Sequence, residues 1–139
     1  MADVRALVPG RAAAVALVLS EPLSFWGGVD PADGTIVDPH HPQTGESVRG
    51  KILVMPSGRG SSSSSSVLAE TIRAGTGPVA IVLAEPDGIL ALGALVASKL
   101  YGRTTLVVVV DGTTHRSIAT GEQVEIRGPH AGWEVDIRA

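Results

Sequence analysis

No cysteine occurs anywhere in the 139 residues. A disulfide framework, a thiol nucleophile and any thiolate-held zinc or iron–sulfur site built from this chain alone are therefore excluded. Aromatic residues are nearly as scarce, limited to Phe25, Trp26, Tyr101 and Trp133. The core must be made of Ala, Val, Leu and Ile, and two of the four aromatics are neighbours in a stretch that reads as loop. No charge of one sign prevails either: Lys and Arg number 11 against 14 Asp and Glu, a formal net charge of −3. With no global positive field to gather polyphosphate, nucleic acid is not an expected partner. Long hydrophobic runs are missing as well. The run Ala12–Leu19 stops at Ser20-Glu21-Pro22, well short of the roughly 20 residues that span a bilayer, and no small-residue cleavage pattern of an export signal accompanies it. The expectation is a cytoplasmic protein without a membrane partner.

What is present is punctuation. Gly (17) and Pro (9) together exceed the ~12% of average sequences, and they separate short, β-branched apolar runs. Ala14–Leu19, Lys51–Met55, Val79–Leu83 and Leu106–Val110 read as buried strands; Gln123–Arg127 and Trp133–Arg138 alternate like strands of a hairpin or barrel wall around Gly128-Pro129-His130. Two helices are expected. One follows the serine run, with Val67, Leu68 and Ile72 at helical spacing, Arg73 in its last turn and Gly75 as its stop. The other runs from about Asp87 to Leu100, with Ile89, Leu92, Val96 and Leu100 as its apolar stripe and Gly102 as its stop. Strand, helix, strand, helix, strand across residues 51–110 implies parallel strands with right-handed crossovers. A length near the usual domain size predicts one α/β domain over 1–139, with a β-rich layer built from the two ends of the chain. Residues 20–50 are irregular, with only Thr35–Val37 read as a strand. Their aliphatic and aromatic content argues against disorder and leaves either an elaborate self-packed loop or a functional one.

The most unusual segment is Pro56-Ser57-Gly58-Arg59-Gly60 followed by serines 61–66. By composition it would be a flexible linker, but a strand feeds into it and a helix leaves it. At such a junction the first helical N–H groups lack intrahelical partners and the macrodipole adds positive charge. Gly58 and Gly60 permit positive φ and close approach of a ligand, and Arg59 offers a two-pronged donor to a carboxylate or phosphate. The segment suits a small anion, or else is only a serine-rich helix cap. It is not a nucleotide P-loop, whose spacing it lacks. A serine hydrolase is not supported: His40, His41, His115 and His130 are available, but there is no Gly-x-Ser-x-Gly elbow. His40-His41 beside Asp38 has no further matched ligands and reads as structural or solvent-facing.

Three stretches together resemble a known family. SEPLSFWGGVDP (Ser20–Pro31) with DPHHP (Asp38–Pro42), GKILVMPSGRGSSSSS (Gly50–Ser65) and AIVLAEPDGILALGALVA (Ala80–Ala97) are similar to the small, swivelling-domain component of the aconitase X group. The resemblance covers roughly residues 15–110 and rests on Gly-Gly-Val-Asp-Pro combined with Pro-Ser-Gly-Arg-Gly-Ser, since polyserine alone would not be specific. It implies a swivelling β/β/α three-layer domain like the fourth domain of aconitases, with a β-rich barrel or sandwich layer, closing over a larger iron–sulfur subunit. It implies dehydration of a small hydroxy acid, cis-3-hydroxy-L-proline in bacteria or mevalonate 5-phosphate in archaea. Ser61 aligns with the serine that removes the proton α to the substrate carboxylate. Ser63 stands where aconitases place an arginine, so Arg59 would take over substrate binding. Gly60, Ser62 and Ser63 would complete the anion cradle, and Gly27, Gly28 and Asp30 would line its closing edge. The chain itself would bind no cofactor or metal; the iron–sulfur cluster, and with it the Lewis acid for the leaving hydroxyl, would belong to the large subunit. Two other classes remain beside this one: a stand-alone receptor for small anions, and a phosphohistidine carrier using His40 or His41.

Overall fold

Three four-residue runs, Ile-Leu-Val-Met, Ala-Ile-Val-Leu and Leu-Val-Val-Val, are buried at every position. Burial on both faces is the condition of the interior of a parallel sheet. In the computed structural model, which describes residues 5–60, 62–128 and 136–138, they form β3 (Ile52–Met55), β4 (Ala80–Leu83) and β5 (Leu106–Val109). The other strands are β1 (Arg5–Val8), β2 (Gly10–Val18), β6 (Gln123–Gly128) and β7 (Asp136–Arg138). All seven join one sheet in the order β1-β5-β4-β3-β2-β6-β7. β5, β4, β3 and β2 are mutually parallel, whereas β1 adds antiparallel to β5, β6 to β2, and β7 to β6.

Strand periodicity sorts the apolar residues into two cores. Leu53, Met55, Ile81, Leu83 and Val107 face the helices α2 (Ser63–Ala74) and α3 (Gly88–Tyr101), packing with Leu68, Ile72, Leu90 and Ala94. Ile52, Val54, Val82, Leu106 and Val108 face the other way, where Ala16, Ile118, Val124 and Ile126 join them. β1 and β6, from opposite wings, touch across this second side. The sheet therefore curls on itself, and the expected barrel-like layer made from the chain ends is the pair of wings of a single sheet. Of the expected strand Trp133–Arg138, only Asp136–Arg138 falls within the described residues; Trp133 and His130 lie outside them. β1 and the short helix α4 (Gly112–Ser117) had no clear sequence signal. Thr35–Val37 does not form a strand; it makes the isolated bridges Thr35 to Ser47 and Val29 to Ile36.

The stripe expected on the second helix is corrected. Leu90, Gly93, Ala94 and Ala97 face inward, while Leu92, Val96 and Leu100 are exposed and Ile89 is only partly covered. The reason is close approach: a Cβ on Gly93 would stand 2.6 Å from the carbonyl oxygen of Ser65, so α3 meets α2 through its small residues. The irregular stretch is well anchored. Phe25, Val29, Ile36 and Val48 sink into the helix-side core.

Leu53→Ala should cost about 2–5 kcal/mol in urea unfolding, the usual range for emptying a packed leucine site. Leu92→Ala should stay within about 0.5 kcal/mol of the parent, the reverse of what the expected stripe implies.

Candidate functional site

β3, β4 and β5 run the same way and end at one edge, where open α/β sheets bind their ligands. The exits of β3 and β4 are tied together, since Ala84 N–H and Glu85 N–H both donate to Pro56 O at 3.0 and 3.1 Å. The turn Pro56–Gly60 lies between two neighbours that leave no room for a side chain at either of its glycines. A Cβ on Gly58 would collide with the Asp87 carboxylate, and one on Gly60 with the Ser24 hydroxyl. Gly60 has φ +108, but Gly58 has no positive φ. The backbone freedom expected of Gly58 is thus replaced by a packing requirement.

Asp87 and Ser24 are themselves fixed. Asp87 Oδ1 accepts from Ile89 N and Leu90 N at 2.9 and 3.0 Å, capping α3. Ser24 Oγ donates to Trp26 O at 3.0 Å and lies 3.3 Å from Ser64 Oγ, which accepts from Trp26 N at 3.4 Å. Ser64 is buried in the first turn of α2. The short element α1 (Phe25–Gly28) is in effect a type II turn, with Trp26 at φ −75, ψ 116 and Gly27 at φ 75, ψ −10, the position at which that turn demands glycine. The turn is stitched to the start of α2 with Phe25 fully buried and Trp26 60% exposed.

α2 begins differently from α3. Ser62, in the cap position, has helical φ/ψ and makes no side-chain capping bond. Arg59, Gly60, Ser62 and Ser63 are all exposed here. Ser61 lies outside the described residues. Gly28 fits beneath Leu23, whose Cδ1 would be 3.2 Å from an added Cβ. Asp30 acts locally: its Oδ1 accepts from Ala32 N at 2.9 Å and its carbonyl from Gly34 N at 2.8 Å. So Gly27 and Gly28 are brought to the serine helix by α1, while Asp30 holds the next turn.

The histidines divide as well. His41 is buried; its Nδ1 accepts from Gln43 N at 3.0 Å, so Nε2–H donates to Glu21 O at 3.2 Å. That is a structural role, and it removes His41 as an exposed phosphate carrier; His40 is exposed. His115 of α4 reaches Met55 O with Nε2 at 2.9 Å, pinning the end of β3 just before the turn. Nearby, the Thr114 hydroxyl holds the Asp111 carboxyl below its ordinary value. Ser24 and Ser64 carry no signal of their own in the sequence, and His115 stands out there only as one of four histidines available to a triad. Asp87 was seen only as a helix entry. Ser64 is one of six identical neighbours, and nothing in the string separates it from them. Among the described residues no three of His, Cys, Asp or Glu converge as around a metal ion, and the residues present do not fit an iron–sulfur cluster.

A curled sheet whose parallel strands present a glycine turn and a serine-rich helix at their carboxyl edge, beside a tethered tryptophan turn, defines an α/β domain. The chain belongs to the aconitase X swivel-domain family, whose sequence profile matches residues 1–135. It is 52% identical over 100 residues to the cis-3-hydroxy-L-proline dehydratase of Pseudomonas aeruginosa, a match covering 72% of this chain and 17% of that protein. It is 38% identical to the phosphomevalonate dehydratase small subunit of Pyrococcus furiosus over 97% of this chain and 93% of that one. Its fold matches the crystal structure of Thermococcus kodakaraensis aconitase X in its holo form with a TM-score of 0.79 and 34% identity, covering 97% of this chain and 95% of that chain. The chain spans only about a fifth of the hydroxyproline dehydratases it matches. No helix among the described residues is long and apolar enough to cross a membrane.

The squeeze on the turn is open to a double-mutant cycle. Gly58→Ala should cost about 1–3 kcal/mol by displacing the Asp87 carboxylate, and Asp87→Ala about 1 kcal/mol through the lost cap. The double variant should cost less than the sum by at least about 0.5 kcal/mol, measured by urea unfolding; strict additivity would mean that the two residues do not compete for space.

Proposed function

We propose that this chain is the small subunit of a heteromeric hydro-lyase that dehydrates a small hydroxy acid, cis-3-hydroxy-L-proline, at an active site shared with a larger chain. The observation that carries the reading is the 52% identity to a hydroxyproline dehydratase over 100 residues, joined to a glycine turn of the same segment lying at the carboxyl edge of the sheet. The P. furiosus protein, of nearly the same length as this chain and named a small subunit, supports a separate larger partner. The iron–sulfur cluster is assigned to that partner, and the complex to the cytoplasm.

In this reading Ser61 removes the proton from the carbon next to the substrate carboxylate. Negative charge then builds on that carboxylate, where Arg59 and the N–H groups around Gly60, Ser62 and Ser63 receive it without reorganising. Gly27 and Gly28 keep the neighbouring turn close, and Asp30 supports it from behind. Mevalonate 5-phosphate is the second reading, favoured by the match along nearly the whole chain to the P. furiosus subunit. A stand-alone anion receptor is the third.

Co-expression with the larger chain decides among them. The complex should dehydrate cis-3-hydroxy-L-proline in preference to mevalonate 5-phosphate, and the isolated subunit should turn over neither. Ser61→Ala should lower kcat by about 10²–10⁴-fold, the usual range for a lost general base, with assembly intact. Full activity in that variant would remove Ser61 from the chemistry. In calorimetry the isolated chain should bind the hydroxy acid weakly; tight binding without a partner would favour the receptor.

A further inference from the structure

The corrected face of α3 leaves apolar surface without a neighbour. Of the eight large apolar residues exposed among the described residues, five lie on this helix or its last turn: Leu92 (54%), Leu95 (48%), Val96 (36%), Leu100 (68%) and Tyr101 (42%). Leu92, Val96 and Leu100 follow one another at i, i+4 and i+8, so they form a single stripe. Single exposed aliphatics are ordinary on a monomer, but a contiguous group of this kind marks an interaction surface. Lys99 and Arg103, both exposed, flank its far end. Neither belongs to the ion pairs among the described residues, which are Arg73–Glu70 and Arg127–Glu125.

We infer that this face of α3 is the anchor by which the domain holds the large chain of the dehydratase, an inference that rests on the proposed subunit role. In the P. aeruginosa relative the matched segment is 17% of the polypeptide, so the remainder is covalently attached. The P. furiosus relative, by its name, is a separate small subunit. A separate chain loses the effective concentration that a tether provides and must be held by buried apolar surface instead. The stripe starts about 7 Å and ends about 20 Å along the helix from the Asp87 cap, at 1.5 Å per residue. The large chain can therefore grip the domain here while the turn at the Asp87 end stays free to meet substrate. The matching surface on that chain is apolar, with carboxylates set against Lys99 and Arg103.

The test compares Leu92→Glu/Val96→Glu with Val15→Glu, a change at an exposed apolar residue of β2, in binding to the purified large chain by interferometry. The stripe variant should keep the parent's circular dichroism and melting temperature, because its side chains are solvent-facing, and should bind at least about 100-fold more weakly. Val15→Glu should bind like the parent. Parent-like binding by the stripe variant overturns the anchor while leaving the subunit role standing. Failure of the unaltered chain to bind overturns both. A parent chain that dimerises alone at micromolar concentration, and becomes monomeric in the stripe variant, overturns the anchor in favour of self-association.

Discussion

The turn that leaves β3 is held in a gap with no space for a side chain at Gly58 or Gly60. On one side stands Asp87, kept in place because it caps α3; on the other stands Ser24, kept in place by Trp26 and Ser64. Two glycines satisfy both neighbours at once. Three separate stretches of chain, around residues 24, 58 and 87, converge through this one steric condition. A larger residue at either glycine would push apart the groups that meet at this turn.

The rest of the architecture serves that convergence. Parallel pairing of β3 with β4 and of β4 with β5 brings their exits to one edge, and His115 fastens the Met55 carbonyl at the end of β3. Close contact of α3 with α2 through Gly93 carries the Asp87 cap toward the serine helix. That closeness also turns the larger aliphatics of α3 outward. One packing decision thus sets both the shape of the turn and the composition of the outer surface.

Much of the fold was legible in the string. β3, β4 and β5 announced themselves as short β-branched runs, and both long helices ended at the expected glycines, Gly75 and Gly102. The large apolar stripe of α3 faces outward, against expectation, because helical spacing by itself does not say which face meets a neighbour. The turn between β3 and α2 was evident from Pro-Ser-Gly-Arg-Gly and the serines after it. Its supports were not: Ser64 is indistinguishable from Ser63 or Ser65 in sequence, and the reason for Gly58 lies 29 positions away at Asp87.

The absence of cysteine, the buried strands and the glycine-serine turn are properties of local sequence, and local sequence determined them: composition limits what chemistry a chain can hold, and β-branched runs between glycines have few other ways to hide. Which serine is buried, which glycine must lack a side chain and which face of α3 is left uncovered were decided only in tertiary structure. Each depends on an atom from a distant segment arriving within van der Waals contact, and residue order carries no measure of that distance.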